Sequence, residues 1–143
     1  MKKIIILCIF LTELVHTGFV KNNGIVTDTS TRLEWQDKYD DNNARVKHTN
    51  WIDAINYCED LTLNSYTDWR LPSITELGSI LDYSRQNPAS NVIFELINNG
   101  VFWTSTTSVS HKVSVWIVGF KDGRYYRTVK VNMGSVRCVR AGG

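Results

Sequence analysis

The chain has 143 residues, 43% of them hydrophobic, and a formal net charge of +2. That length supports one domain with a real core but not two. The near-neutral charge lacks the strongly basic balance of a nucleic-acid binder, although five Trp and six Tyr are generous for the length.

Lys2 and Lys3 precede an apolar run at residues 4–15, which has the length of a signal-peptide core and is too short to span a bilayer comfortably. Residues 1–18 therefore read as an export leader, leaving a mature chain of residues 19–143 in the periplasm, at the cell surface or outside, with no transmembrane span. Glu13 interrupts the run and His16-Thr17-Gly18 is a poor cleavage site. An uncleaved anchor and a mis-chosen start codon are the alternatives. Cys8 lies too early for a lipoprotein anchor.

Asn22-Asn23-Gly24 is a turn signal. Ile25-Val26-Thr27 and Leu33-Glu34-Trp35-Gln36 then read as an N-terminal hairpin. Residues 37–49 are polar and charged, as in an exposed loop. Asn50 can cap a helix whose apolar positions are Trp51, Ala54, Ile55, Cys58 and Leu61, one helical face that turns Cys58 inward. In Tyr66-Thr67-Asp68-Trp69-Arg70-Leu71-Pro72, proline holds the chain extended ahead of Ser73-Ile74-Thr75-Glu76, which has the form of a capping box. The second helix follows, with Leu77, Ile80 and Leu81 inward. A short third helix is expected over residues 92–97, ended by Asn98-Asn99-Gly100.

The last third changes period. Residues 101–104 read as a strand, 105–114 as a loop rich in Ser and Thr, and 114–120 as an apolar β-branched strand. Lys121-Asp122-Gly123-Arg124 is a hairpin turn, residues 125–131 alternate, and 135–140 form a final strand. Two main helices packed on small antiparallel sheets, with a C-terminal β-meander, make an α+β domain.

Without the leader two cysteines remain, Cys58 and Cys138. In an exported chain an even count suggests a disulfide, here closing a loop worth roughly 4 to 5 kcal/mol in the chain-entropy model. Two buried free thiols are the alternative. Charge is unevenly spread. Residues 19–100 hold 7 Lys+Arg against 12 Asp+Glu, and residues 101–143 hold 7 against 1. Such asymmetry fits either a basic binding face or two halves that neutralise each other on folding.

Six ordered blocks carry a resemblance: Gly24-x-Val26-x-Asp28; Leu33-x-Trp35-Gln36; Trp51-x-x-Ala54-x-x-Tyr57-Cys58-x-x-Leu61; the run from Tyr66 to Pro72 with Glu76-Leu77; Phe102-Trp103-Thr104-Ser105-Thr106; and Val136-Arg137-Cys138-Val139-Arg140. Together they resemble the bacterial Lcl C-terminal domain family, named after a collagen-like adhesin, over nearly the whole mature chain. The resemblance implies an exported or surface-exposed domain of C-type-lectin-like arrangement, in which Cys58 on a helix pairs with Cys138 on the final strand. It also implies a role in adhesion, since the named adhesin binds sulfated polysaccharides through basic surface and trimerises through this domain. Self-association is therefore one expectation for partners, but no Gly-x-y stalk is present here to enforce it. Glu34 stands where the family often has Met, and Thr104 where it often has Ser. The Trp-Asn-Asp and Glu-Pro-Asn triplets of calcium-dependent sugar binders are absent, which argues against calcium-dependent monosaccharide binding.

Catalysis finds few candidates. Cys58 lies on an apolar face, and His48 and His111 fall in polar loops without a Cys or Asp at a telling spacing. Formylglycine-generating relatives use a redox cysteine pair that has no counterpart here, and no Cys/His cluster has zinc spacing. The expectation is no enzyme and no cofactor. Asp37, Asp40, Asp41, Asn42 and Asn43 offer oxygen ligands to calcium, but EF-hand spacing is missing and a solvated acidic loop is the simpler reading.

Trp69 and Arg70 could clamp an anion. Their place between a turn and a helix cap favours a structural role for Trp69, Arg70, Leu71, Pro72, Ser73 and Glu76 instead. The binding candidates are Lys112, Lys121, Arg124, Arg127 and Lys130, with Tyr125 beside Arg127 on one sheet face and Tyr126 beside Lys130 on the other. Cations with aromatic rings suit a sulfated or acidic glycan. Two functions follow as expectations: a lectin-like module for an anionic polysaccharide or surface protein, or a structural domain of a cell-envelope assembly. Nucleic acid is not expected.

Overall fold

The structure, a computed structural model, describes residues 18–143. The expected leader, apart from Gly18, and its cleavage lie outside the described residues. Among these residues β1 (Phe19–Asn22), β2 (Ile25–Asp28) and β3 (Leu33–Gln36) are followed by a 3₁₀ turn (Asp40–Asn42), β4 (His48–Thr49), α1 (Trp51–Asp60) and α2 (Ile74–Gly78). Then come β5 (Val101–Thr107), β6 (Ser114–Gly119), β7 (Arg124–Val129), β8 (Gly134–Ser135) and β9 (Val139–Ala141). The fold is mixed α+β with two sheets, ordered β1-β2-β3-β9 and β4-β8-β5-β6-β7. Every strand pair is antiparallel except β5 with β8.

Local chemistry sets these elements. Asn23 and Gly24 take left-handed backbone, φ 48° and 77°, and so close a two-residue hairpin between β1 and β2. β1 is a strand absent from the sequence reading, because its Phe19-Val20 continues the apolar composition of the leader. At the next turn Asp28 accepts from the Ser30 amide at 2.9 Å and the Ser30 hydroxyl at 2.6 Å. Burial alone would raise the Asp28 carboxyl, but these donors and Thr31 hold it below the usual carboxylate range. Asn50 caps α1 by accepting from the Asp53 amide at 3.0 Å. Cys58, wholly buried on α1, is bonded to Cys138 with their Cα atoms 5.5 Å apart.

Alternation along the strands sends neighbours to two cores. Ile25, Trp103, Val115 and Ile117 join Ala54, Cys58, Trp69 and Leu71 in one. Val26, Phe102, Val118 and Phe120 join Trp35, Leu77, Ile80 and Val139 in the other. Both sheets therefore bury parts of both faces.

Three expectations need correction. The final strand of residues 135–140 is two short strands: β8 sits in the second sheet and β9 in the first, and Arg137-Cys138 carry the chain across. Residues 92–97 form no helix. Their backbone is bonded elsewhere, since the Glu95 and Leu96 amides donate to the Asp37 carboxylate at 2.9 and 3.2 Å and the Leu96 carbonyl accepts from Arg137. Nor is the whole of residues 37–49 an exposed loop. Asp37 and Tyr39 are buried, and His48-Thr49 pair with β8. The Tyr39 hydroxyl donates to the Val136 carbonyl at 2.9 Å, and burial pushes its pKa up to about 12.

Candidate functional site

The basic surplus of the last third divides by burial. Arg137 is wholly buried. Its Nη1 donates to Asp37 Oδ1 at 2.8 Å and to the Gln36 carbonyl at 2.5 Å, while the Phe94 ring centre lies 4.7 Å from the guanidinium carbon. Asp37, with a fully buried side chain, also accepts from Lys21 Nζ at 2.7 Å. Arg140 donates through Nε to Asp68 at 2.6 Å and through Nη1 to Glu34, with its guanidinium carbon 3.8 Å from the Tyr66 ring centre. Both arginines thus join the basic third to carboxylates of the acidic two-thirds.

The Tyr66-to-Pro72 segment ties the sheets together. Arg70 and Val139 exchange backbone hydrogen bonds of 2.9 Å, attaching the segment to β9, and the Ser105 amide donates to the Pro72 carbonyl at 2.8 Å, attaching it to β5. Trp69 is buried and donates from Nε1 to the Tyr66 carbonyl at 3.1 Å, and Leu71 lies in the α1-side core. Arg70 forms a bidentate pair with Glu76, both contacts at 2.7 Å. Ser73 Oγ accepts from the Glu76 amide at 3.1 Å and the Glu76 carboxylate accepts from the Ser73 amide at 2.8 Å, a complete capping box. The Arg70 guanidinium holds the Glu76 carboxyl below its ordinary range against the opposing effect of burial. Arg70 is therefore engaged with its own helix cap.

In the acidic loop Asp37 faces Arg137 and Lys21, Asp40 pairs with Lys38 at 3.0 Å, and Asp41 accepts from the Tyr57 hydroxyl at 3.2 Å. Their carboxylates point at different partners. Among the described residues no group of three or more His, Cys, Asp or Glu could hold a metal ion.

The remaining cations line β7, the outermost strand of the second sheet, and the loops at its two ends. β7 is exposed along most of its length. Register with β6 places Tyr125 opposite Val118 and Arg127 opposite Trp116, on the α2 side, and Tyr126 opposite Ile117 on the α1 side. Arg127 lies over the Trp116 ring at 5.5 Å and donates to Ser110 at 3.3 Å, next to His111. Tyr125 reaches across Gly78 of α2, where an added Cβ would come within 2.2 Å of its hydroxyl. Tyr126 donates to Asp122 at 2.5 Å, a bond that holds the Asp122 carboxyl down and the Tyr126 phenol up. Arg124 stands 3.7 Å from Asp122, beside Lys121 in the β6–β7 turn.

At the opposite end of β7, Lys130 lies over the Trp51 ring at 4.6 Å. There Lys112, Val113, Val129, Lys130 and Val131 border a cavity of about 510 Å³. The seven expected binding residues thus share one sheet edge but divide between two faces and two ends. Sequence reasoning did not include Trp51, Trp116 or Tyr83 among the binding residues; the Tyr83 ring lies against Gly123 of the β6–β7 turn, 3.2 Å from where a Cβ would stand. The β6 alternation points to Trp116, whereas Trp51 and Tyr83 come from distant segments.

Residues 24–140 match the family model of the Lcl C-terminal domain. No curated protein matches the chain.

Proposed function

The chain belongs to the Lcl C-terminal domain family, and we propose that it is an exported binding module of C-type-lectin-like arrangement that takes an anionic glycan on the β7 edge. The observation that carries this reading is the pairing pattern of the cations. Lys112, Lys121, Arg127 and Lys130 have no carboxylate within ion-pair distance among the described residues, while Arg137 and Arg140 are each paired with carboxylates. Exposed Tyr125 and Tyr126 stand among the unpaired cations and supply flat apolar faces for sugar rings. The disulfide is compatible with export into an oxidising compartment. The reading is one of binding rather than catalysis and calls for no cofactor.

A glycan array read at low and moderate salt tests it. Sulfated or carboxylated glycans are expected to bind, to weaken steeply as salt rises, and to be lost when Lys121, Arg124, Arg127 and Lys130 are all changed to Ala. Absence of any anionic binder, or binding indifferent to those four changes, rejects the proposal.

The alternative, an assembly domain, is favoured by one feature: β7 is an open sheet edge, whose outward backbone groups can pair with another chain. Association that persists in high salt while no glycan binds would select it.

A further inference from the structure

The cavity at the far end of β7 differs from the rest of that edge. Two loops meet there, the β5–β6 connection through residues 108–113 and the β7–β8 connection through residues 130–133. They are held together by the pairing of Ser114 with Val129 and by the Lys130 amide donating to the Val113 carbonyl at 3.1 Å. The Trp51 amide, at the head of α1, donates to the Lys130 carbonyl at 3.1 Å and so anchors the second loop to the body of the domain.

The side chains on this end of the domain are unusual for a surface. Val113 is 67% exposed, Val131 82% and Met133 55%, and Val109 at the tip of the first loop is wholly exposed. Val129 completes the apolar wall, and the charged residues of the lining are Lys112 and Lys130. Several large apolar groups gathered at adjoining loops, rimmed by cations, differ from apolar residues scattered singly over a surface.

We infer that this end of the domain docks on the surface of a bilayer containing anionic lipids, with Val113 and Val131 entering the interface and Lys112 and Lys130 pairing with headgroups. Charge selects this occupant. Valines gain by leaving water for the acyl boundary, and lysines with aliphatic stems keep their ammonium groups at headgroup level. A second copy meeting the same face across a two-fold axis would bring two pairs of lysines together in an apolar seam. The inference is independent of the glycan proposal, although both draw on Lys112 and Lys130.

Cosedimentation of the full chain with vesicles tests it, comparing phosphatidylglycerol–phosphatidylcholine mixtures with phosphatidylcholine alone at about 0.1 M salt, where charges are still felt over about 10 Å. Residues 4–15 are common to every variant, so differences between variants report the groove. Binding is expected to favour the anionic vesicles and to fall by roughly tenfold or more in the doubly substituted Val113→Ser, Val131→Ser protein, whose charge is unchanged. Changing Lys112 and Lys130 to Gln is expected to weaken it by roughly fivefold per lysine.

The valine variant should melt with the parent, because Val113 and Val131 lie outside the buried core, and the lysine variant should melt only slightly lower, through loss of the Lys130–Trp51 contact. The valine variant should also bind sulfated glycans as the parent does, which separates this inference from the glycan proposal. Equal partitioning onto both vesicle types, or undiminished binding of either variant, overturns it. So does vesicle-free self-association that the two Val→Ser changes abolish, which would assign the groove to a second copy.

Discussion

Arg137 and Arg140 follow soon after Arg127 on β7 and Lys130 in the loop beyond it, yet the two groups of cations live in different physical settings. The Arg137–Asp37 pair has no solvent access on either side chain, and Lys21 together with four backbone groups completes the cluster. Arg127 instead stands exposed over Trp116, with a hydroxyl and an imidazole as its neighbours. A guanidinium withdrawn from water must be matched by fixed acceptors, and it then fixes whatever supplies them. Here that includes residues 95–96, whose backbone would otherwise be free to form a helix. A guanidinium left in water fixes little and stays available. The charge asymmetry between the acidic and basic parts of the chain therefore has two consequences at once: part of it is cancelled inside the fold, and the rest is displayed on the β7 edge.

The largest way to break the interior side of this contrast is to remove the covalent bond beside it. Cys58 and Cys138 are separated by 80 residues. Reduction, or replacement of both cysteines by Ala, is expected to lower the unfolding free energy by about 4 to 5 kcal/mol in the chain-entropy model. Denaturant melts with and without reductant measure it. A loss under about 1 kcal/mol would mean that the ion-pair cluster alone holds the β8–β9 crossover to the body of the domain.

Arg137→Met comes next. It leaves Asp37 charged and enclosed, which typically costs about 3 to 5 kcal/mol. Adding Asp37→Leu to that variant should recover a large part of the loss, because an apolar pair of similar shape has no desolvation debt. A double-mutant cycle reads the coupling directly. If Arg137→Met is tolerated within the error of the melt, the cluster is not what organises this region.

These two sites mark where the sequence was legible. Periodicity located α1 and turned Cys58 inward, and the capping box fixed the start of α2, because those signals are local. The turn at Asn23-Gly24 and the hairpin at residues 121–124 announced themselves through turn chemistry, although β1, the strand before the first of these turns, did not. By sequence Asp37 belongs to a solvated acidic loop, since nothing nearby in the chain reveals a partner one hundred positions away. The same long reach misled the reading of residues 92–97, whose apolar pattern suits a helix until Asp37 and Arg137 take up its backbone groups. On the site, the sequence assigned Tyr125 and Tyr126 to opposite faces of β7, as the register with β6 has them. The tryptophans beneath Arg127 and Lys130 needed tertiary structure.

The helix cap sharpens the comparison at intermediate size, since the Arg70 side chain is 46% exposed and that of Glu76 21%, neither wholly buried. Ser73→Ala should cost about 1 kcal/mol through loss of the N-cap acceptor. Acid provides a second probe. Arg70, opposed by burial and aided by the Ser73 amide, holds the folded Glu76 carboxyl below its unfolded value. Its contribution is therefore fully present above the unfolded carboxylate pKa and disappears as pH falls through the lower, folded one. Glu76→Gln keeps the box but removes the charge, so the variant should lose less stability than the parent over that acidic window. Parallel acid melts of parent and variant would show instead that solvent screens the pair completely.

The smallest effect on stability is expected where the proposed effect on binding is greatest. Lys121, Arg124 and Arg127 are exposed, and none forms a buried ion pair, so Ala at each should shift the unfolding free energy by no more than about 0.5 kcal/mol. Lys130 is half-buried against Trp51 and should cost slightly more, since its aliphatic stem and cation–π contact are lost together. Chemical denaturation of the four single variants tests this ordering, Lys130→Ala last and largest. Were Arg127→Ala to destabilise the domain as strongly as Arg137→Met, its stacking on Trp116 would be part of the framework. The division between cations that build the fold and cations that are displayed by it would then fail at the residue chosen to define it.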